Sequence, residues 1–181
     1  MEIATAVDEA GEGRALDVQG ISDVEGFSRA YERYRLPVYR YLRARGAADA
    51  DALDLTAITF ERAFAGRHAF RARDGGHGAW LFRIARNAAV DAHRRSGRRP
   101  EGPLTDGDDV GLAVVADHSE RERQEIVDAV SSLPDVQRDA IWLRYAGGLS
   151  AREIGLVLGK SEGAIQKQIQ RALAALREVL E

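Results

Sequence analysis

Leu133 to Leu180 reads LPDVQRDAIWLRYAGGLSAREIGLVLGKSEGAIQKQIQRALAALREVL, and its punctuation predicts three helices in succession. Pro134 opens an apolar-periodic segment, Asp135 to Tyr145, which Ala146, Gly147 and Gly148 end. Ser150 then stands before a short segment with Glu153 three residues on. That is the spacing of a capping box, in which the serine hydroxyl and the glutamate carboxylate each take up a backbone N–H at a helix start. Gly159 and Lys160 break this helix, and Ser161 can cap a longer one from Glu162 to about Glu178. A short helix, a tight glycine-containing turn and a longer helix form the unit that sets one helix in the DNA major groove. Nucleic acid is therefore the first partner to consider.

The last of these helices carries two faces. Ile165, Ile169, Ala172, Leu176 and Val179 or Leu180 recur at helical spacing and are expected to pack on the preceding helices. The other face holds Gln166, Lys167, Gln170 and Arg171, with Lys160 at the turn. Glutamine can pair with the N6/N7 edge of adenine, and lysine or arginine with guanine or phosphate. Gly163 and Ala164 are small enough to let the helix start approach a DNA backbone, where its N–H groups favour phosphate. The same face on an ordinary helical hairpin would simply be solvated.

Upstream, Trp80 to Arg99 reads WLFRIARNAAVDAHRRSGRR. Trp80, Leu81, Ile84, Ala85, Ala88 and Ala92 supply an apolar stripe. Arg83, Arg86, Arg94, Arg95, Arg98 and Arg99 outnumber the one acid, Asp91, beside Asn87 and His93. A basic stripe of this kind suits phosphates and exposed bases, although arginine-rich helix ends are also common solvated faces. Two further helices are expected before it. One runs from Phe27 to Leu42, with Pro37 kinking or interrupting it, and the other from Asp49 to Phe64. Gly66 to Gly78 reads mostly as loop. Four stretches follow: an acidic, disordered tail over 1–22, a first helical domain over 23–96, a flexible linker over 97–119 and a second helical domain over 120–181. The tail has Glu2, Asp8, Glu9, Glu12 and Asp17 against Arg14. The linker has glycines, prolines and the acids Asp106, Asp108 and Asp109. No segment shows strand alternation, so the fold class is all-α, two small helical domains joined by that linker.

Bulk properties narrow the function. With 45% hydrophobic and 30% charged residues, the chain falls in the ordinary soluble globular range. Zero cysteines exclude disulfides, thiol catalysis and cysteine zinc sites, and fit a cytoplasmic protein. The N-terminus lacks the basic start of a secretory signal, and no apolar run approaches the roughly 20 residues needed to cross a bilayer. His68, His77, His93 and His118 lack metal-ligand spacing, and Gly75, Gly76 and Gly78 are not followed by the lysine of a phosphate-binding loop. No catalytic residue, metal or cofactor is expected. The net charge of −3 is unusual for a free-standing DNA binder, which is generally basic.

Taken in order, the two blocks resemble the extracytoplasmic-function sigma factors, the small two-domain members of the bacterial sigma-70 family. The first block, from FSRAYERYRLPVYRYLRARG to WLFRIARNAAVDAHRR, resembles sigma region 2, and the second resembles region 4. The resemblance covers about residues 25–96 and 123–180. It implies a promoter-specificity subunit that binds core RNA polymerase, docks region 2 on the clamp and region 4 on the flap, and helps to open promoter DNA. It implies a −10-facing helix with Arg83, Arg86, Asn87, Asp91, Arg94 and Arg95, preceded by a base-capturing loop from Phe70 to Gly78. It implies a −35 reader made of Arg152, Lys160, Ser161, Glu162, Gly163, Ala164, Gln166, Lys167, Gln170 and Arg171. Asp51, Asp54, Leu55 and Phe60 match the polymerase-docking helix. The implied partners are core RNA polymerase, promoter DNA and an anti-sigma factor, with no membrane insertion. The acidic linker would thread near the polymerase channel, where negative charge can mimic nucleic acid.

Three departures from the family pattern matter. The docking helix usually reads Asp-Ala-Glu-Asp-Leu followed by Gln-Glu, whereas here Leu53 replaces the first Glu and Ala57 and Ile58 replace Gln-Glu. Losing charge from an interface generally lowers affinity and association rate. Either core affinity is weak, another protein covers Leu53 and Ile58, or phosphorylation at Thr56 or Thr59 restores the charge. In the reader helix, Ala164-Ile165-Gln166-Lys167-Gln168 stands where relatives often have Thr-Val-Lys-Ser-Arg, which predicts weaker phosphate anchoring and a different promoter. The acidic tail is the third departure. Two other readings stay open at this point: a polymerase-independent helix-turn-helix regulator, and a sigma-like decoy that titrates an anti-sigma factor.

Overall fold

The computed structural model describes residues 20–71, 75–96 and 120–180, and among these the structure is helical throughout, without a strand. The tail up to residue 19, the linker over 97–119 with its acidic run, and the middle of the loop at 72–74 lie outside the described residues.

Three helices form the first bundle: α1 (Val24–Ala44), α2 (Asp49–Gly66) and α3 (His77–Ser96), with a 3-10 turn at Arg67–Ala69 after α2. Asp23 starts α1 by accepting the Gly26 N–H at 2.6 Å, which satisfies one of the orphan donors of a first turn. The helix then runs through Pro37 without interruption, which settles the second half of the expectation that the proline would kink or interrupt it. Proline removes one N–H, and the carbonyl that loses its partner belongs to Arg33, four residues back on an exposed turn where water can serve it. Val38, Tyr41 and Leu42, directly after the proline, are almost fully buried, and their packing holds the next turn in register.

Each helix presents one stripe inward. Ala30, Tyr34, Val38, Tyr41 and Leu42 come from α1, Ala52, Leu55, Phe60 and Ala63 from α2, and Leu81, Phe82, Ala85 and Ala88 from α3. A fully buried large apolar side chain contributes about 1.5–3 kcal/mol relative to exposure, so these positions carry the bundle. The aromatic rings meet edge to face, with Tyr31 on Phe60 at 4.8 Å and Tyr41 on Phe82 at 5.5 Å between centroids, the geometry that ring quadrupoles favour.

The second bundle comprises α4 (Glu120–Ser132), α5 (Asp135–Tyr145), α6 (Ala151–Leu158) and α7 (Glu162–Leu180). Its core is Val127, Val130, Leu133, Ile141, Trp142, Leu143, Ile154, Val157, Ile165 and Ala172. Trp142, 2% exposed, is the largest of them. The expectation that Val179 or Leu180 packs inward does not hold, since they are 66% and 44% exposed. α7 has 19 residues against 11 in α5 and 8 in α6, so its last turn outruns its partners. The two bundles touch: α3 packs on α6, and the end of α1 lies against α5.

Candidate nucleic-acid interface

The helix-turn-helix is built by local chemistry. Ser150 Oγ accepts the Glu153 N–H at 3.3 Å, and Glu153 Oε2 accepts the Ser150 N–H at 2.8 Å, so both halves of the capping box close. α6 ends on Gly159 at φ 67°, the left-handed conformation in which glycine carries no penalty. Gly155 makes the tight turn possible by close approach, because a Cβ there would lie 2.5 Å from the Lys160 carbonyl oxygen. Ser161 Oγ then accepts the Ala164 N–H at 3.3 Å and starts α7.

These contacts present the reading face as a unit. Gln166, Lys167, Gln170 and Arg171 are exposed, as are Arg152, Lys160, Ser161, Glu162 and Gly163, while Ala164 is half-buried at the turn. Ile165 and Ala172, on the opposite side of α7, are fully buried. The spacing of three and four residues puts the four long polar side chains on one side. All the residues expected in the reader thus lie together on the surface of α6, the turn and α7.

α3 differs. Asn87, Asp91, Arg94 and Arg95 in its C-terminal half are exposed, whereas Arg83 and Arg86 are half-buried. Asp91 meets Arg62 of α2 at 3.5 Å, and its backbone oxygen accepts from Arg95 Nε at 3.3 Å. Phe70, at the start of the adjoining loop, stacks at a tilt on His77 and Trp80, at 4.9 and 5.3 Å. On α2, Asp51 and Asp54 are exposed and available to a partner. Leu55 and Phe60 are not, being 7% and 5% exposed. They face the core of their own bundle and leave little surface of their own to a partner. Leu53 is 56% exposed and interrupts the acidic edge. Thr59 is fully buried with its hydroxyl donating to the Leu55 carbonyl at 2.7 Å, which removes it as a phosphorylation site. Thr56 makes the same kind of bond to Ala52 but is only half-buried.

The structure also brings together residues that the sequence did not single out. Arg45, at the end of α1, donates to both carboxylate oxygens of Asp139 on α5. Burial raises the Asp139 carboxyl above its ordinary value, against the pull of Arg45, Arg86 and Arg138. Burial likewise pushes the neighbouring Tyr41 phenol well up, so it stays neutral. Burial opposes the charge on Arg45, yet Tyr41 and Asp139 more than offset it and hold the guanidinium above its ordinary value. The one available signal was an acid, Asp139, standing directly before the apolar run Ala140 to Leu143.

Among the described residues no group of three or more His, Asp or Glu side chains could hold a metal ion, and no helix is long and apolar enough to cross a membrane.

Comparison with known proteins agrees with this architecture. Residues 30–99 match the family model "Sigma-70 region 2" and residues 123–176 match "Sigma-70, region 4". The chain is 32% identical over 183 aligned positions to the ECF RNA polymerase sigma factor SigD of Mycobacterium tuberculosis, covering 92% of this chain and 84% of that one. It is 36% identical over 164 positions to the ECF RNA polymerase sigma factor BldN of Streptomyces coelicolor, spanning 87% of this chain but only 61% of BldN. Among solved structures, it is similar to CnrH in complex with the cytosolic domain of CnrY, with a TM-score of 0.65 and 27% identity over 92% of this chain and 96% of that one. It is also similar to RpoE bound to the anti-sigma factor NepR from Bartonella quintana, with a TM-score of 0.67 and 25% identity over 87% of this chain and 98% of that one. With a region 2 bundle, a region 4 helix-turn-helix and these relatives, the chain belongs to the ECF RNA polymerase sigma factors of the sigma-70 family, non-catalytic proteins that direct transcription initiation.

Proposed function

We propose that this sigma factor grips promoters at two points while bound to core RNA polymerase. The −35 element is read as duplex by α7, through Gln166, Lys167, Gln170 and Arg171, with Arg152 and the residues of the turn on flanking phosphates. The −10 element is met by Asn87, Arg94 and Arg95 on α3, together with Arg83, Arg86 and the loop from Phe70 to Gly78. The acids Asp51 and Asp54 on α2 contact the polymerase clamp. The working division is a tail over 1–22, region 2 over 23–96, a linker over 97–119 and region 4 over 120–181, acting in the cytoplasm.

One observation carries this reading: the polar reader residues of α7 share one exposed face while Ile165 and Ala172 anchor the other side in the core. The net charge of −3 fits a protein that relies on polymerase for most of its DNA affinity, since phosphate contacts dominate free binding. The similarity to RpoE, solved with the anti-sigma factor NepR, supports control by an anti-sigma factor.

The test mixes purified core polymerase, this protein and a library of genomic fragments, and sequences the transcripts. Defined start sites that need the protein are expected. A lack of such transcripts together with tight, salt-sensitive duplex binding by the isolated protein would point instead to a polymerase-independent regulator. The exposed Leu53 in the docking helix favours a second reading, a decoy for an anti-sigma factor. That reading predicts no transcripts, no DNA binding and tight capture of the regulator.

A further inference from the structure

Asp91 is out of place on a face meant for phosphate. It stands in the middle of the exposed half of α3, one turn after Asn87 and one turn before Arg94 and Arg95. A carboxylate there repels a strand that the neighbouring guanidinium groups attract. Its contacts point to another role. Oδ2 lies 3.5 Å from Nη1 of Arg62, which reaches across from α2, and the Asp91 backbone oxygen accepts from Arg95 Nε at 3.3 Å. α2 packs on α3. Thr59 and Ala63 are fully buried there, while Arg62 beside them is exposed. Two arginines from different helices therefore meet at one acidic residue.

We propose that Arg62 is a further phosphate contact of the −10 site, supplied by α2, and that Asp91 is the positioning residue that aims it rather than a group that meets DNA. This rests on the assignment of α3 to the −10 element. Arg62 belongs to the helix matched to polymerase docking, and so lies outside the basic stripe from Trp80 to Arg99.

Arg62 has spare donors for such a contact. Its side chain is 47% exposed. A guanidinium carries five N–H groups in a fixed fork. Among the described residues Arg62 has one hydrogen bond, to Asp91, and it is at the long end of the range. A phosphate oxygen offers shorter, charge-assisted bonds to the remaining donors. An exposed ion pair adds little to stability, so holding the fold together does not account for the acid. Its effect is on orientation. A long surface side chain loses rotamer freedom when it binds, and restraining it beforehand removes part of that cost. The local charge still favours DNA, since Arg62, Arg94 and Arg95 outnumber Asp91.

The test uses holoenzyme reconstituted from core polymerase and the full chain, with a promoter recovered from the transcript library. That promoter is made as a fork, duplex through −35 and single-stranded on the non-template strand over −10. Its dissociation constant is measured by fluorescence anisotropy over a range of potassium chloride concentrations. Arg62→Ala should weaken binding about tenfold, the size of one hydrogen bond to a charged group. The loss should be equal on forks of different −10 sequence, and the salt slope should fall by about 0.7, the value for one single-strand phosphate. Arg62→Lys should restore the slope. Asp91→Ala should weaken binding about threefold, within the worth of an exposed pair. Asp91→Asn, which keeps an acceptor oxygen for Arg62, should recover part of that loss, and Asp91→Ala added to Arg62→Ala should cause no further loss. Thermal melts and the affinity for core polymerase alone should match the parent in every variant.

An Arg62→Ala holoenzyme with the parent's affinity or salt slope would remove Arg62 from the site. A loss of core affinity as large as the loss on DNA would assign Arg62 to the clamp instead. Tighter binding by Asp91→Ala, additive losses in the double variant, or a loss confined to one −10 base would overturn the positioning role of Asp91. A parent that forms no holoenzyme or opens no promoter fails the proposed function itself and takes this inference with it, an outcome distinct from any difference between parent and variant.

Discussion

The two helices proposed to meet DNA, α3 and α7, are presented in opposite ways. α7 stands on its own bundle with its polar face clear, seated by Ile165 and Ala172. α3 is free only in its second half, because its first half and the loop before it lie against the α5–α6 corner. The duplex reader proposed on α7 needs a rigid, preformed surface, and α7 has one from local caps and a continuous core. The site for separated strands proposed on α3 gains from partial cover, since an open one would hold any single strand through sequence-tolerant stacking and charge. The difference shows that one half of the molecule is made by short-range contacts and the other is governed by long-range ones.

Mutations can break or sharpen that contrast. The largest expected effect is Trp142→Ala, which removes the biggest side chain of the region 4 core and should cost about 3–5 kcal/mol in urea denaturation. A loss below about 1 kcal/mol would mean that α5 does not organise that core. Next come the reader positions. In holoenzyme, Gln166→Ala or Gln170→Ala should cost about 1–3 kcal/mol of discrimination at one base pair, read by competition between promoter variants. Lys167→Ala should weaken all promoters evenly and lower the salt slope by about one. Equal losses on every sequence from the glutamine variants would remove them from base reading.

Ser150→Ala tests the local side of the contrast. Losing the cap should cost about 1 kcal/mol and leave the α3 side of the molecule unaltered in its near-ultraviolet dichroism. The smallest effect belongs to Arg62→Ala. Its partner Asp91 is 3.5 Å away and both side chains are about half exposed, so the change should stay within about 0.5 kcal/mol by thermal unfolding. A larger loss would show that the exposed half of α3 is held in place by α2.

What could be read from the chain follows the same division. α5 at Asp135–Tyr145 and the Ser150–Glu153 box were legible because each depends on residues within a turn of one another. The polar face of α7 was legible because helical periodicity separates it from Ile165 and Ala172. Pro37 left a kink and an interruption both open, and the helix continues through it because Val38, Tyr41 and Leu42 are buried, which lies in the tertiary structure. Leu55 and Phe60 matched the docking motif, yet a motif match does not say which side of the helix faces inward. The Arg45–Asp139 pair could not be read at all, because its burial depends on how one bundle meets the other.

Glu153 divides its labour between its two oxygens. Oε2 takes the Ser150 N–H at 2.8 Å and the Ser150 hydroxyl at 2.7 Å, whereas Oε1 reaches the Gly76 N–H at 3.4 Å. The contact to Gly76 is the longer one, and water could replace it at Oε1 while Oε2 kept the start of α6 intact. The helix start therefore does not depend on the contact with the first bundle. A carboxamide at this position would have one acceptor oxygen for the two duties, and the α6 start would compete with the Gly76 N–H for it.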